Sequence, residues 1–365
     1  MTSIEAVLHN TSADPLRAAR AHVSAGGRAI GLVGPDIPFE LIIAAGAFPL
    51  QLSSADDRPT PHADRHFEPS FPPFVKFVAE QWMTGQLDFL SAVIFSRASD
   101  SIQRCYYYLS NLRDSEYPDA PVPLIFDLAK IPRAASLSHT HQAIRTLARE
   151  VSADLARVRD AIALRDQRRG LFARLAAARR SQEAPSGALC AKILRTADTF
   201  PVNEFDIQMT SWLAEPRPTF TGPRVLLAGT DPMDDWIHEA VEQVGGRIVA
   251  EVGEHGIERL GPPIGPSADP VYSLAQHYHF LNGSPRSFVD PAVQLTRCAT
   301  EYGVDAAILW LAEEDEVMPW QVPALKATLA HLGVPFLILA RQGRPDRRDG
   351  AAKIFQFIGG LGSHA

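Results

Sequence analysis

Short apolar runs alternate with helix-forming stretches along most of this chain, and that alternation restricts its fold more than any other feature. RAIGLV (28–33), FPLQL (48–52), LSAVIF (90–95) and PVPLIFDL (121–128) are too short for buried helices and rich in branched side chains, so they predict strands. Helical signals lie between them. GPD, Pro38 and FELIIAAG follow the first run, with proline at the start and Gly46 just past the end, the asymmetry that helices favour. A proline-rich loop, RPTPHADRHFEPSFPP, precedes a helix predicted from about Phe74 to Gly85, and SIQRCYYYL predicts another. Strands separated by helices are βαβ units, so a parallel sheet is expected. The pattern restarts after a second proline-rich stretch, EPRPTFTGP. There PRVLLAG (223–229), RIVAEV (247–252), VDAAILWL (304–311) and VPFLILA (334–340) predict strands, with DPMDDWIHEAVEQVGG and VPALKATLAHLG as helices.

The region between the two blocks has a different period. Ile144, Leu147, Val151, Leu155, Val158 and Ile162 recur at three- and four-residue steps, which predicts one long amphipathic helix. RDQRRGLFARLAAARR continues it. Glu150, Asp154, Asp160 and Asp166 are interleaved with the arginines, which predicts a solvated face rather than a nucleic-acid surface. A chain of 365 residues exceeds one hydrophobic core. The expected division is an N-terminal α/β domain (1–137), a helical insert and connector (138–217) and a C-terminal α/β domain (218–365). In open α/β sheets the ligand site lies beyond the strand C-termini.

Several function classes lack support. The formal net charge of −7 gives no electrostatic case for nucleic acid or an anionic membrane surface. The start, MTSIEAVLHNTSADP, has neither the basic nor the apolar region of a secretory signal. No apolar stretch approaches the roughly 18 residues of a membrane span. Cys105, Cys190 and Cys298 form no CxxC pair, which argues against a disulfide framework or a self-contained metal site. A cytoplasmic location is the expectation that remains.

AIGLVGPDIP and VLLAGTDPMDD are both strand–loop–helix, yet neither carries GxGxxG or GxxxxGK[ST]. His277 and His279 are two apart, as are His139 and His141, so neither pair shares a helix face. They are expected to be surface or capping histidines, and no metal is expected. GxSxG is absent. Glu40 falls in the first turn of a helix at a strand tip, where a carboxylate either offsets the helix dipole or serves as an acid/base facing a cleft. EEDE (313–316) follows a strand, as a candidate hard-cation ligand set or a solvated loop.

Five segments together resemble a known family: PFELIIAAGAFPLQL (38–52), DFLSAVIFSRASDSIQRCYYYL (88–109), GPRVLLAGTDPMDDWIHEAVEQVGGRIVAE (222–251), RCATEYGVDAAILW (297–310) and LGVPFLILARQ (332–342). They are similar, in kind and order, to the D-components of 2-hydroxyacyl-CoA dehydratases and the related benzoyl-CoA reductase subunits. The resemblance implies an α/β fold of two flavodoxin-like (Rossmann-like) parallel-sheet domains with a helical insert. It also implies an acyl-CoA ligand, a partner subunit of the same fold and an ATP-driven electron donor.

Active members hold a [4Fe–4S] cluster through one cysteine on each of three strand-end loops. The matching positions here fall near Pro72, at Ser99 directly before DSIQR, and at Glu314 or its neighbours Glu313 and Asp315. None is cysteine. Cys105 falls within a helix, Cys190 in the helical insert and Cys298 just before a strand. Clusters need soft thiolates, with imidazole an occasional substitute, so no cofactor is expected in this chain. Three functions stay open. The chain is a cluster-free partner contributing part of an acyl-CoA site, beside a cysteine-bearing paralogue or as a homodimer. Or it is a stand-alone enzyme using Glu40 in acid/base chemistry on an acyl-CoA. Or it is a non-catalytic acyl-CoA-binding protein. Arg97, Arg104 and Lys76 are the nearest basic groups for CoA phosphates, with Ser99 and Asp100 lining the same place.

Overall fold

The apolar runs pair into two four-stranded sheets, both wholly parallel. A computed structural model describes residues 4–8, 14–52, 58–97, 99–200, 202–253, 256–281, 288–315, 317–340 and 347–361. The first sheet contains β1 (Arg28–Val33), β2 (Ala47–Gln51), β3 (Ala92–Ser96) and β4 (Val122–Phe126) in the order β2-β1-β3-β4. The second contains β5 (Arg224–Gly229), β6 (Arg247–Val252), β7 (Ala306–Leu311) and β8 (Phe336–Ala340) in the order β6-β5-β7-β8. Each order reverses direction after its first strand, the doubly wound pattern.

Alternation along each strand feeds two apolar layers. In the first sheet Ala29, Val33, Val93 and Phe95 pack on one face, with Val75 and Trp82 of helix Pro73–Met83 and Ile102 and Leu109 of helix Asp100–Ser115. Ile30, Leu32, Ala92 and Ile94 pack on the other, with Ile144 and Leu147 of helix Ala134–Glu150 and Leu274 and Tyr278 of helix Pro270–Phe280. In the second sheet Val225, Leu227 and Ile308 face one layer, while Leu226, Ala228, Ala307 and Leu309 face the other. Strands covered on both faces must be apolar throughout, which is why they read as continuous runs.

Contacts divide the chain into two units that the sequence did not delimit. One comprises residues 1–171, 196–210 and 258–288; the other comprises 172–195, 211–257 and 289–365. Residues 138–217, read from the sequence as a helical insert and connector, are divided between these two units. The long helix expected over 144–162 is also broken. Helix Ala134–Glu150 ends, Ser152 takes φ +58°, and a 3₁₀ turn at Leu155–Arg157 precedes helix Val158–Arg180. Asp154 caps that turn by accepting from the Ala156 amide at 3.0 Å. Cys298, expected just before a strand, lies inside helix Pro291–Glu301, the helix that precedes β7. Among the described residues, no helix is long and apolar enough to cross a membrane.

The most consequential correction concerns the arginine-rich helix. Arg165, Arg168, Arg169 and Arg179 of Val158–Arg180 are all 2% exposed or less, so the expected solvated face is interior. Positions 165, 168 and 169 share one helix face, and each arginine has a carboxylate partner. Arg165 bonds Asp198 at 2.6 Å and Arg168 bonds Asp206. Arg169 bonds Glu40 at 2.5 Å and Asp166 at 3.0 Å. Arg259 adds a contact to Asp198 at 3.0 Å. Four arginines thereby meet four carboxylates in the first unit, which leaves the buried cluster without net charge. In the second unit Arg179 grips Glu251 through two bonds of 2.5 and 2.7 Å.

Candidate functional site at the strand C-termini

In each sheet the strand ends around the reversal point carry tight, hydrogen-bonded loops. Gly34 follows β1 with φ +88°, and a Cβ there would lie 2.8 Å from Ile102 Cδ1 and 3.1 Å from Ser96 Cβ. Only glycine lets the loop after β1 press onto the start of helix Asp100–Ser115. Asp36 nearby also has positive φ, and its carboxylate meets Lys130 at 2.9 Å with both side chains buried. Gly229, the last residue of β5, plays the corresponding part, since a Cβ there would lie 2.1 Å from the Trp310 carbonyl oxygen. The Thr230 amide donates to that carbonyl at 2.9 Å.

The loop after β3 holds Ser99 as the N-cap of helix Asp100–Ser115. Its Oγ accepts from the Ile102 amide at 3.2 Å. The nearby loop ends at Pro72, the N-cap of helix Pro73–Met83. Arg104 links the two loops: it donates to Glu68 at 2.7 Å and stacks 4.5 Å above the Phe71 ring. Asp100 is exposed and 4.0 Å from Arg104, an ordinary i,i+4 pair. Arg97 donates to Asp127 at 2.7 Å, and Lys76 pairs with Asp64. Arg97, Ser99, Asp100 and Arg104 therefore lie along one loop and its helix, whereas Lys76 is paired elsewhere.

In the second unit the turn after β7 is organised by Asp315. Its Oδ1 accepts from the Val317 and Met318 amides at 3.0 and 2.9 Å, which starts helix Met318–His331. Its Oδ2 accepts from the Thr230 hydroxyl at 2.6 Å. Glu313 is exposed, Glu314 is half-buried, and Glu316 lies outside the described residues. Among the described residues, no group of three or more His, Cys, Asp or Glu side chains is placed to hold a metal ion.

Glu40 sits differently from an acid/base facing a cleft. It is wholly buried, receives Arg169, and accepts from the Tyr278 hydroxyl at 2.8 Å. Burial alone would raise its pKa, but Arg169, then Arg165 and His277, outweigh that and hold the carboxyl below its ordinary range. His277 Nε2 lies 3.0 Å from the Leu260 carbonyl and 3.3 Å from Arg169 Nη2. Burial, reinforced by the charge of Arg169, holds its pKa down to about 4, so the ring is neutral. His279 is buried against Thr140 at 3.2 Å. Neither residue is a surface histidine, because helix Pro270–Phe280 is packed on more than one side.

The donors at the three strand-end positions do not suit an iron–sulfur cluster. Pro72 has no side-chain donor, the Ser99 oxygen caps a helix, Glu314 and Glu313 offer only hard carboxylate oxygens, and the Asp315 oxygens are occupied by two amides and a hydroxyl. The cysteines are displaced from all three positions and buried. Burial pushes the Cys105 thiol up, and pushes Cys190 up to about 12, so neither is an available thiolate.

The sequence pointed to Arg97 and Ser99 but missed Asp127, which bridges toward Arg97. The available signal was an acidic residue directly after the apolar run PVPLIF. Asp198 and Asp206 gave none, since their partners lie roughly 30 to 40 positions away.

Two doubly wound parallel sheets define an α/β protein of the class in which ligands bind beyond the strand C-termini. The sequence matches the family described as 2-hydroxyglutaryl-CoA dehydratase, D-component, over residues 36–354, and the chain belongs to that family. A comparison with curated proteins found no match.

Proposed function

We propose that this dehydratase-type subunit carries no cluster of its own and works in the cytoplasm as a structural and ligand-binding partner in an oligomer. A cysteine-bearing paralogue would perform the electron transfer, and this chain would form part of the acyl-CoA site. The observation that carries the reading is how the positions matched to cluster ligands are engaged: Ser99 caps a helix, Asp315 beside Glu314 accepts from the first amides of another, and Pro72 has no side-chain donor. A side chain committed to a cap is lost to that role if it binds iron. The stand-alone acid/base alternative is disfavoured because Glu40 is buried and ion-paired. Arg97 and Arg104 remain at the strand ends as anchors for CoA phosphates.

Anaerobic co-expression with a cysteine-bearing paralogue, followed by iron and sulfide analysis of each separated chain, tests this. The expected result is co-purification with iron in the paralogue alone. About four irons retained by this chain by itself would overturn it.

A further inference from the structure

Among the described residues, four strands lie at sheet edges, and three of them are guarded against further pairing. β2 and β4 carry Pro49 and Pro123, which cannot donate to a ladder, and β6 carries Arg247 and Glu251. β8, with the sequence FLILA, has neither proline nor charge. Among the described residues it pairs on one side only, with β7. An apolar edge strand left open in this way is a template for another chain.

The helix that precedes β8, Met318–His331, is apolar on both faces. Leu325 and Leu329 pack inward, against the layer that holds Ala307 and Leu309 of β7. On the opposite face Trp320 is 85% exposed, and Pro323, Ala324 and Ala327 are exposed with it, at the spacing of a single helix face. Lys326 is the helix's one residue of the Lys, Arg, Asp and Glu set. A surface helix ordinarily turns a charged face to water, and an exposed apolar patch beside an open sheet edge marks an interaction site.

The pattern fits a second copy of this chain. A two-fold contact sets one patch on itself, so the patch must be self-complementary. The helix and β8 are consecutive and each spans the sheet, so their midpoints, near Ala324 and at Ile338, lie abreast and one axis serves both. About that axis β8 meets its copy antiparallel and continues the sheet, while the two helices run antiparallel beside it. An axis between Pro323 and Ala324 lays the large Trp320 of one copy on the small Ala327 of the other, and Lys326 falls opposite Gln321 rather than its own copy. Charge agrees with this direction. Glu313 and Glu314 stand before the helix and the exposed His331 ends it, so each acidic end meets an imidazole end, and the helix dipoles are opposed.

We infer that β8 and helix Met318–His331 form a self-association face, through which two copies of this chain join their second sheets into one continuous sheet of eight strands. The face lies within the second unit and needs no paralogue, so it stands apart from the partnership proposed above.

Sedimentation equilibrium of the full chain alone, from about 1 to 200 µM, tests this. The expected result is a reversible equilibrium between monomer and dimer. Trp320→Ala should weaken it about thirtyfold, the usual effect of losing a central tryptophan. Ala327→Glu puts a charge at the centre of the face and should abolish the dimer, while the exposed position leaves the thermal melt of the monomer unchanged. Tyr107→Ala removes an exposed aromatic of the first unit and should not alter the equilibrium. A chain that is monomeric throughout overturns the inference, and so does a dimer that both variants of the face preserve. A chain that is monomeric alone but pairs with a cysteine-bearing paralogue through Trp320 would give the face to the paralogue, and would equally overturn self-association.

Discussion

Arg169 and Glu40 lie 129 positions apart, yet their side chains meet at 2.5 Å with almost no exposure on either. The first belongs to a helix that the sequence places on the surface. The second opens a helix at the tip of β1. Tyr278 closes the other carboxylate oxygen, so three separate segments converge on one buried charge.

Glu40→Gln leaves a buried guanidinium short of its counter-charge. It should destabilise the chain by roughly 3–5 kcal/mol, the usual cost of removing one partner from a buried pair. Urea unfolding with an unchanged slope would measure this. A loss below 1 kcal/mol would show that the carboxylate is not a structural anchor and would reopen an acid/base role.

His277 predicts how stability depends on pH. Its folded pKa is near 4 against an ordinary 6.5, so the native state binds fewer protons than the unfolded chain between those values. Its contribution is complete above pH 6.5 and is lost as pH falls toward 4. Glu40 and Glu251 are also held low, Glu251 to about 2, so their contributions fade only further into acid. Arg169, Glu40 and Asp166 are the charged groups facing His277. Melting temperature measured across pH 4–7 should therefore fall on acidification. His277→Gln should flatten that fall while leaving the steeper loss below pH 4.

Ser99→Ala removes a helix cap and should cost about 1 kcal/mol. Ser99→Cys should cost a similar amount, since sulfur accepts weakly, and should not bring iron into the chain with Pro72 and Asp315 unchanged. Thermal melts and iron analysis of the two variants, side by side, separate the cap from the cluster. Stoichiometric iron in Ser99→Cys would refute the account of the lost site.

Arg179 and Glu251 offer a cleaner measure of a buried pair. Arg179→Met alone should destabilise strongly, by roughly 3–5 kcal/mol. Adding Glu251→Gln should recover part of that loss, with a coupling of about 0.5–3 kcal/mol in a double-mutant cycle. Strict additivity would mean the two bonds contribute nothing beyond packing. His238, 3.1 Å from Glu251, should limit the recovery by retaining a partner for the residue at 251.

Among the described residues, all eight strands lie where short apolar runs announced them, and the parallel α/β class followed from their alternation with helices. Local chemistry sufficed for that, because burial on both faces writes itself into each strand independently of the rest of the chain. The strand-end loops bearing Ser99 and residues 313–315 were legible for the same reason. Three matters were not. The break at 151–157 depends on one left-handed residue, Ser152, and a cap at Asp154, inside an unbroken apolar period. The division into units depends on which helix packs on which sheet. The arginines of Val158–Arg180 read as solvated because charge next to charge in sequence says nothing of partners such as Asp198, Asp206, Glu40 and Glu251. A buried ion pair exists only when the fold brings its two halves together, and that convergence belongs to the tertiary structure alone.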